Sequence, residues 1–121
     1  MEPDGEHRMN VFQGEFPGHD TGADGHRGTA PVDAFEPNGF GLWNVTGNVW
    51  EWCADWFDPS WYRQSPRESP VGPTSGQLRV MRGGSFLCHH SYCRRYRVAA
   101  RSSNDPTSST ANLGFRVAAD A

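Results

Sequence analysis

Glycine and proline interrupt this chain so often that no amphipathic segment of helical length remains. The 121 residues include 14 glycines and 9 prolines, which fall between short apolar stretches. Because both residue types end regular helices, the pattern favours a fold of short strands and irregular loops. The length suits a single domain with its own core, spanning residues 1–121.

Four segments predict short strands. In WEWCADW, from Trp50 to Trp56, three tryptophans and an alanine alternate with Glu, Cys and Asp at the strand period. Turn-forming residues bound the other three segments, which are Leu78–Arg82, Tyr96–Arg101 and Gly114–Ala118. The N-terminal third, through Pro37, has few apolar anchors. We expect it to be irregular and held by something other than a core, with bound cations as a candidate.

Charge and hydropathy argue against two classes of partner. The net charge is −3, so no overall field attracts nucleic acid or an anionic membrane. Arginines alternate with tyrosines between residues 92 and 101, as in single-strand binders, but we interpret this segment as a strand edge beside the cysteines. No apolar run reaches membrane-span length, and the opening MEPDGEHRMN lacks the apolar core of a signal peptide. We therefore expect a soluble protein. Three cysteines are an odd count and too few for a disulfide-stapled secreted scaffold, which favours a reducing compartment.

The segment RGGSFLCHHSYC, from Arg82 to Cys93, places two thiols five residues apart. A regular helix or strand would point Cys88 and Cys93 in different directions, so the two can meet only across a bend. A thiol reacts or binds a soft metal as the thiolate, and positive charge lowers the cost of forming it. The sequence offers five arginines for this role, Arg82, Arg94, Arg95, Arg97 and Arg101.

The residues alone leave four interpretations of this pair open. The cysteines form a reactive or soft-metal site, a structural disulfide, a zinc site with His89 and His90, or no pair at all. The zinc interpretation is the weakest, because structural zinc sites usually draw their ligand pairs from two separated loops.

Two loops carry oxygen atoms that suit a hard cation. Asp20 and Asp24 lie among glycines in HDTGADGH, and calcium takes six to eight oxygens in flexible geometry. The loop departs from the EF-hand pattern, so a plain solvated turn is its alternative. In NVTGNVWE, Asn44 and Glu51 flank a glycine turn, for which an Asx turn that starts the tryptophan strand is the alternative.

The chain resembles the C-terminal half of formylglycine-generating enzymes, also called sulfatase-modifying factors, over nearly its whole length. The matching stretches are, in order, NVFQGEFP, GTAPVDAF, GFGLWNVTGNVWEWCADWF, RVMRGGSF and CHHSYCRRYRVAARSSNDPTSSTANLGFRVA. The wider superfamily, which includes sulfoxide synthases, shares NxxGNxWEW, RGGSF and NxGFR, so these indicate the fold. The CxxxxC pair after GGSF is the part specific to the enzymes that oxidise a sulfatase cysteine.

The resemblance implies an α+β fold with little regular secondary structure, the formylglycine-generating-enzyme variant of the C-type lectin fold. Family members have a substantial N-terminal portion, so we expect this chain to be the C-terminal part of one such domain, incomplete at its N-terminus. An unpaired sheet edge and an exposed apolar face around Trp50, Trp52 and Trp56 would follow. Val98 and Val117 replace cysteines that form disulfides in vertebrate members, which implies a bacterial-type enzyme in the cytoplasm.

The activity that the resemblance implies is the copper-dependent oxidation, by O₂, of a cysteine in a sulfatase CxPxR motif to formylglycine. Cys88 and Cys93 would bind Cu(I), for which two thiolates are suitable soft ligands, and Ser85 would be a further catalytic residue. The resemblance places four side chains in or near the substrate groove: Trp50, Tyr92, Arg101 and Asn112. Trp50 as plain core and Arg101 as a structural ion pair are the alternatives.

Two structural calcium sites are implied as well. The first would take Asn10, Val11, Asp24 and His26, and the second Asn44, Gly47, Val49 and Glu51. The implied partners are an unfolded sulfatase polypeptide or CxPxR peptide, and a missing N-terminal portion of the domain. Two alternative functions stay open, a non-catalytic binding module of the same fold and a superfamily oxidase or sulfoxide synthase acting on a small thiol.

Overall fold

The computed structural model describes residues 3–119, and most of them lie in loops. The strands are β1 Gly14–Glu15, β2 His19–Asp20, β3 Trp50–Trp56, β4 Arg79–Arg82, β5 Ser102–Asn104 and β6 Leu113–Gly114, and short 3-10 turns lie at Pro3–Gly5 and Trp61–Arg63. Within residues 3–119 there is no α-helix, and no helical segment is long and apolar enough to span a bilayer. The expectation of little regular secondary structure is confirmed.

The main sheet has four strands in the order β5-β4-β3-β6. Strand β3 has the predicted bounds and pairs antiparallel with β4 through Glu51 and Arg82, then Trp52 and Met81. On its other side β3 pairs in parallel with β6, through Trp50 and Leu113. The tryptophan strand is therefore central, and its tryptophans are half-buried. The edges of this sheet are the short strands β5 and β6.

Two predicted strands are wrong. Residues 96–101 form turns, and the strand that pairs with β4 starts at Ser102. The physical reason lies in arginines within and beside this segment, whose guanidinium groups donate to carbonyls of the segment or next to it: Arg82 to Ala100, Arg95 to Arg101 and Arg97 to Arg94. Of the predicted strand at residues 114–118, only Gly114 is paired.

Arg116 explains why β6 is so short. Its Nε lies 2.7 Å from both carboxylate oxygens of Glu51, and its guanidinium also donates to the carbonyl of Trp43. The chain after Gly114 is therefore fixed to its neighbours by a side chain, with Phe115 and Val117 left exposed.

A small apolar cluster packs around one of the predicted catalytic cysteines. Val11, Cys88 and Tyr96 are buried in it, and Met9, Trp50 and Cys93 pack against it. Val11 comes from the N-terminal third, where Phe12 is also buried. The expectation that this third is irregular is confirmed, apart from the two-residue strands β1 and β2. The expectation that something other than a core holds it is wrong for Val11 and Phe12, which are core residues.

A buried asparagine joins three loops to this cluster. The Oδ1 of Asn48 accepts from Asn10 Nδ2 at 3.1 Å and from the Ala30 amide at 2.7 Å, and its Nδ2 donates to the Ala30 carbonyl. Its backbone accepts from Phe86 and donates to Asn10. Gly47 precedes it with a φ of 72°, and a Cβ there would lie 2.4 Å from the Asn10 carbonyl oxygen. We call these contacts the Asn48 network.

Replacing Asn48 by glycine should destabilise the fold strongly. Glycine tolerates the left-handed φ of 58° at this position, so the variant removes only the side-chain bonds and leaves the Ala30 amide unpaired. We expect a loss of about 2 kcal/mol or more in the free energy of unfolding, measured by urea denaturation. The matched control is Asn38→Gly, because Asn38 Oδ1 also accepts from two amides but is exposed. Equal losses of unfolding free energy in the two variants would contradict the claim that burial makes the Asn48 bonds important.

Candidate functional site

The two cysteines of the CxxxxC segment meet across a tight turn. The amides of Tyr92 and Cys93 both donate to the carbonyl of His89, and the Cys88 amide donates to the carbonyl of Ser85. The two Sγ atoms lie 2.6 Å apart, and both residues are free thiols. The prediction that the pair meets across a bend is confirmed, and the interpretation as unrelated cysteines is wrong.

Burial dominates the electrostatics of the Cys88 thiol. It raises the pKa of the Cys88 thiol to about 12, with a further contribution from the hydrogen bond to Cys93. Ser85 acts in the opposite direction, since its backbone N–H and its hydroxyl both lower that pKa. The groups that change the pKa of Cys88 most are thus its direct neighbours, Cys93 and Ser85. The arginines that the sequence offers as a source of positive charge are not among the groups that shift this pKa most.

Two predicted polar residues lie together beside Cys88. Ser85 is fully buried, and its Oγ accepts from Asn112 Nδ2 at 3.0 Å and from the Leu87 amide at 3.3 Å. The Asn112 carbonyl accepts from the backbone amide of Trp50, and the Trp50 side chain packs against the cluster that contains Cys88. The structure therefore brings Ser85, Asn112 and Trp50 together with the cysteine pair.

Aromatic rings surround the outer side of the turn. Tyr92 is 74% exposed, and its ring stacks on that of Phe16 with a centroid distance of 4.8 Å. Phe16 also lies parallel to His89, which Phe12 contacts edge-on. Burial lowers the pKa of His89, which favours its neutral form. Sequence reasoning did not single out Phe16 or His89 as parts of this group, although Phe16 lies in the matching stretch NVFQGEFP.

Arg101 lies in a different part of the surface. Its guanidinium pairs with Asp55 and lies over the ring of Tyr62, at 5.5 Å from the centroid. Together with Trp56 and Arg79 these residues line a cavity of about 840 Å³. Among the contacts of residues 3–119, none that we find joins Arg101 to the two sulfurs. The ion pair that was the alternative interpretation of Arg101 is therefore present.

The first group of predicted calcium ligands is gathered around one carboxylate. Asp24 is buried, and its two oxygens accept from the amides of Val11 and His26, each at 3.0 Å. Asn10 is also buried, and its amide donates to the Gly28 carbonyl and to Asn48. The four predicted residues thus lie in one neighbourhood.

The second group contains a buried oxygen with no hydrogen-bond partner. Asn44 Nδ2 donates to the carbonyls of Pro31 and Val32, whereas its Oδ1 is buried and unpaired. Such an atom is costly unless a cation or water satisfies it, so the donor set fits a hard ion. Glu51, the predicted carboxylate ligand, is paired with Arg116 instead.

The zinc interpretation of the cysteine segment lacks geometric support. Over residues 3–119, no three His, Cys, Asp or Glu side chains are grouped so that they could hold one metal ion. The Nδ1 of His89 lies 2.7 Å from Ser91 Oγ, so this nitrogen is already hydrogen-bonded. Two-sulfur and oxygen-rich sites, which need fewer such side chains, are not excluded by this observation.

Fold and site together define a loop-rich domain that holds one buried and one half-buried thiol in contact within a single turn. The chain belongs to the family of the sulfatase-modifying factor enzyme 1-like domain, which matches residues 1–121. Among curated relatives, the formylglycine-generating enzymes of Streptomyces coelicolor and Thermomonospora curvata are 61% and 63% identical to it. The matches cover 100% and 99% of this chain but only 38% and 41% of those proteins.

A solved structure supports the fold assignment. PvdO from Pseudomonas aeruginosa superimposes with a TM-score of 0.71 at 25% identity, over 89% of this chain and 37% of PvdO. The family assignment made from the sequence motifs is confirmed. The C-type lectin relationship stays a prediction.

The alkylation rate of Cys88 should rise with pH over an unusually wide range. Below a thiol's pKa the ionised fraction grows about tenfold per pH unit, and burial raises this pKa to about 12. We therefore expect the rate with iodoacetamide, followed by peptide mass spectrometry, to climb without a plateau up to about pH 11. Folding stability should fall from about pH 8.5, the usual pKa of a thiol, up to the folded-state pKa, because the unfolded thiol ionises first. A plateau below pH 9 would contradict the burial argument.

Proposed function

We propose that this chain carries the catalytic dithiol of a formylglycine-generating enzyme, which oxidises a cysteine in a sulfatase CxPxR motif to formylglycine with O₂. The observation that carries the proposal is the contact of Cys88 and Cys93 beneath the Ser85 and Asn112 side chains. The names of its relatives support the same activity. Conversion of CH₂SH to CHO by O₂ balances with two electrons and two protons from a thiol reductant, and releases H₂S and water.

Cu(I) is the cofactor that we propose for this reaction. Two adjacent thiols are a soft donor set that selects Cu(I) over hard cations, and both thiols must lose their protons to bind it. When bound, copper would supply the one-electron chemistry with O₂ that side chains lack. The three free thiols of the chain suit a reducing compartment, so we propose a bacterial cytoplasm as its location.

The protein's own groups would prepare the site for substrate. The cluster around Cys88 excludes water from this sulfur, and Ser85 offers it two hydrogen-bond donors. The exposed face of Tyr92, supported from behind by Phe16, provides a flat aromatic surface next to Cys93. A proline ring packs well on such a surface, so we propose that Tyr92 contacts the CxPxR peptide close to the reacting cysteine.

We further propose that two calcium ions order the loops on which the site rests. The first would be held by Asn10, Val11, Asp24 and His26, and the second by Asn44, Gly47, Val49 and Glu51. Buried Asp24 and the unpaired Oδ1 of Asn44 support these assignments. Glu51 would have to exchange at least part of its pairing with Arg116 for the ion.

Serine substitution at either cysteine of the pair should abolish tight copper binding. Serine is a hard and poorly ionised ligand, so Cys88→Ser and Cys93→Ser should lower the Cu(I) affinity by orders of magnitude. The affinity is measured by competition with a chromophoric Cu(I) chelator, and aldehyde formation on a CTPSR peptide by mass spectrometry. Cys53→Ser is the matched control, since Cys53 lies on β3 and should be neutral in both assays.

Copper affinity unchanged in Cys93→Ser would refute the dithiol site. Tight copper binding in the wild type without any aldehyde would instead favour a binding module of the same fold. Turnover of a small thiol in preference to the peptide would favour the sulfoxide-synthase alternative.

Calcium removal should lower the melting temperature of the wild-type protein. The loops at residues 10–26 and 44–51 contain little regular structure, and ordering a backbone costs roughly 1–2 kcal/mol per residue, which a bound ion offsets by mass action. Glu51→Gln should show a smaller difference between calcium and chelator than the wild type does. Glu15→Gln, at an exposed position, is the control. If the chelator leaves the melting temperature of all three proteins unchanged, the calcium proposal is refuted.

A further inference from the structure

The cavity beside Arg101 has no part in the proposed chemistry of the cysteine pair. Its volume of about 840 Å³ lies in the range of pockets that bind ligands. It lies at the end of β3, and its other walls come from the 3-10 turn at Trp61–Arg63 and from the loop at residues 65–74. We call it the β3 cavity.

A bulge in β3 shapes one wall of this cavity. The ladder with β4 shifts register between residues 52 and 56, where three residues of β3 lie opposite one residue of β4. Within the bulge, the Ala54 carbonyl accepts from Arg79 and the Asp55 carboxylate pairs with Arg101. Bulges change the direction of side chains and are frequent beside functional sites. Here the bulge brings two guanidinium groups into the lining of one cavity.

The loop that forms the opposite wall is packed against the same strand. The indole nitrogen of Trp61 donates to the Val71 carbonyl at 3.0 Å. Gly72 approaches β3 so closely that a Cβ there would lie 2.1 Å from the Cβ of Asp55. The contacts of the folded chain itself therefore form the cavity.

Positive charge is concentrated in this cavity, although the whole chain carries a net charge of −3. The charged side chains of its lining are Arg67, Arg79, Arg101 and Asp55. Asp55 pairs with Arg101, whereas no carboxylate within residues 3–119 pairs with Arg67 or Arg79. Two guanidinium groups are thus available to an anion.

Arg79 is held in a position suited to this role. Its guanidinium lies over the ring of Trp56, at 3.7 Å from the centroid, and donates to the Ala54 carbonyl. A guanidinium has five N–H groups, so others remain for a ligand. A fixed and planar guanidinium can bind a carboxylate through two parallel hydrogen bonds.

The apolar surface around the cavity favours a polypeptide as the source of this carboxylate. Tyr62 is 69% exposed and Val71 is 72% exposed, and Trp61 and three prolines of the loop add to the same lining. Tryptophan, tyrosine and arginine are the residue types that contribute most to binding between proteins. A peptide segment would cover this exposed rim, whereas a small anion would leave it in water.

We propose that the β3 cavity binds an acidic peptide segment, whose carboxylates pair with Arg79 and Arg67 and whose apolar side chain packs against Tyr62. The assignment of this segment to the sulfatase polypeptide, outside the CxPxR motif, rests on the proposed function. The binding of an acidic peptide does not.

Calorimetric titration at low ionic strength with the peptides Ac-GEFEG-NH2 and Ac-GQFQG-NH2 tests the proposal. The acidic peptide should bind the wild-type protein about tenfold more tightly than the amide peptide, because hydrogen bonds between charged groups are the stronger ones. Arg79→Gln should raise the Kd of the acidic peptide by a similar factor. Arg67→Gln, at an exposed position, should raise it roughly twofold to fivefold.

The matched control is Arg63→Gln, which removes the same charge from an exposed residue outside the lining and should leave the Kd unchanged. If Arg79→Gln does not fold, the result for Arg67→Gln decides alone. Equal affinity of the wild type for the two peptides, wild-type affinity in the lining variants or an equal loss in Arg63→Gln would each overturn the proposal.

Two further measurements separate the related possibilities. Displacement of the acidic peptide by an equal concentration of benzoate would overturn the assignment to a peptide, since a small anion would then suffice. Binding of the acidic peptide as expected, with no aldehyde formed on a CTPSR peptide by the copper-loaded wild type, would support the β3 cavity as a peptide site and refute the proposed function.

Discussion

The Asn48 network is the constraint on which the rest of the structure depends. Helical and strand hydrogen bonds are few in this chain, and the apolar cluster around Val11 is small. Hydrogen bonds of buried amide groups therefore hold several of the loops to each other. Asn48 joins Asn10, Ala30 and the backbone at Phe86, three segments far apart in sequence. Because buried polar groups are costly when unpaired, this network admits few alternative arrangements of the loops.

The site follows from that arrangement. Phe86 is anchored to Asn48, and two residues later Cys88 enters the apolar cluster, where its carbonyl accepts from the amide of Phe12. The turn after His89 then brings Cys93 back onto Cys88. Burial raises the pKa of the Cys88 thiol, so this sulfur ionises reluctantly in its resting state, and a bound metal or a hydrogen-bond donor has a large influence on its reactivity.

Sequence reasoning predicted well those features that depend on local pattern. The alternation of WEWCADW gave the bounds of β3, and the five-residue spacing of Cys88 and Cys93 required the observed bend. It failed for features whose conformation depends on contacts between residues far apart in the sequence. The segment 96–101 has the residue pattern of a strand, but the guanidinium groups of Arg82 and Arg95 bind its carbonyls at Ala100 and Arg101, and the segment forms turns. Asn48 carries no periodic signal, because its role depends on loops that only the folded chain brings together.

The central proposal is that Cys88 and Cys93, which meet within one turn, together bind a soft metal ion. The most direct test is the copper K-edge X-ray absorption spectrum of the protein loaded with one equivalent of Cu(I), without peptide substrate. We expect a nearest-neighbour shell of two sulfur atoms and no imidazole scattering. A shell that contains histidine nitrogen, from His89 or His90, or only a single sulfur, would contradict the account.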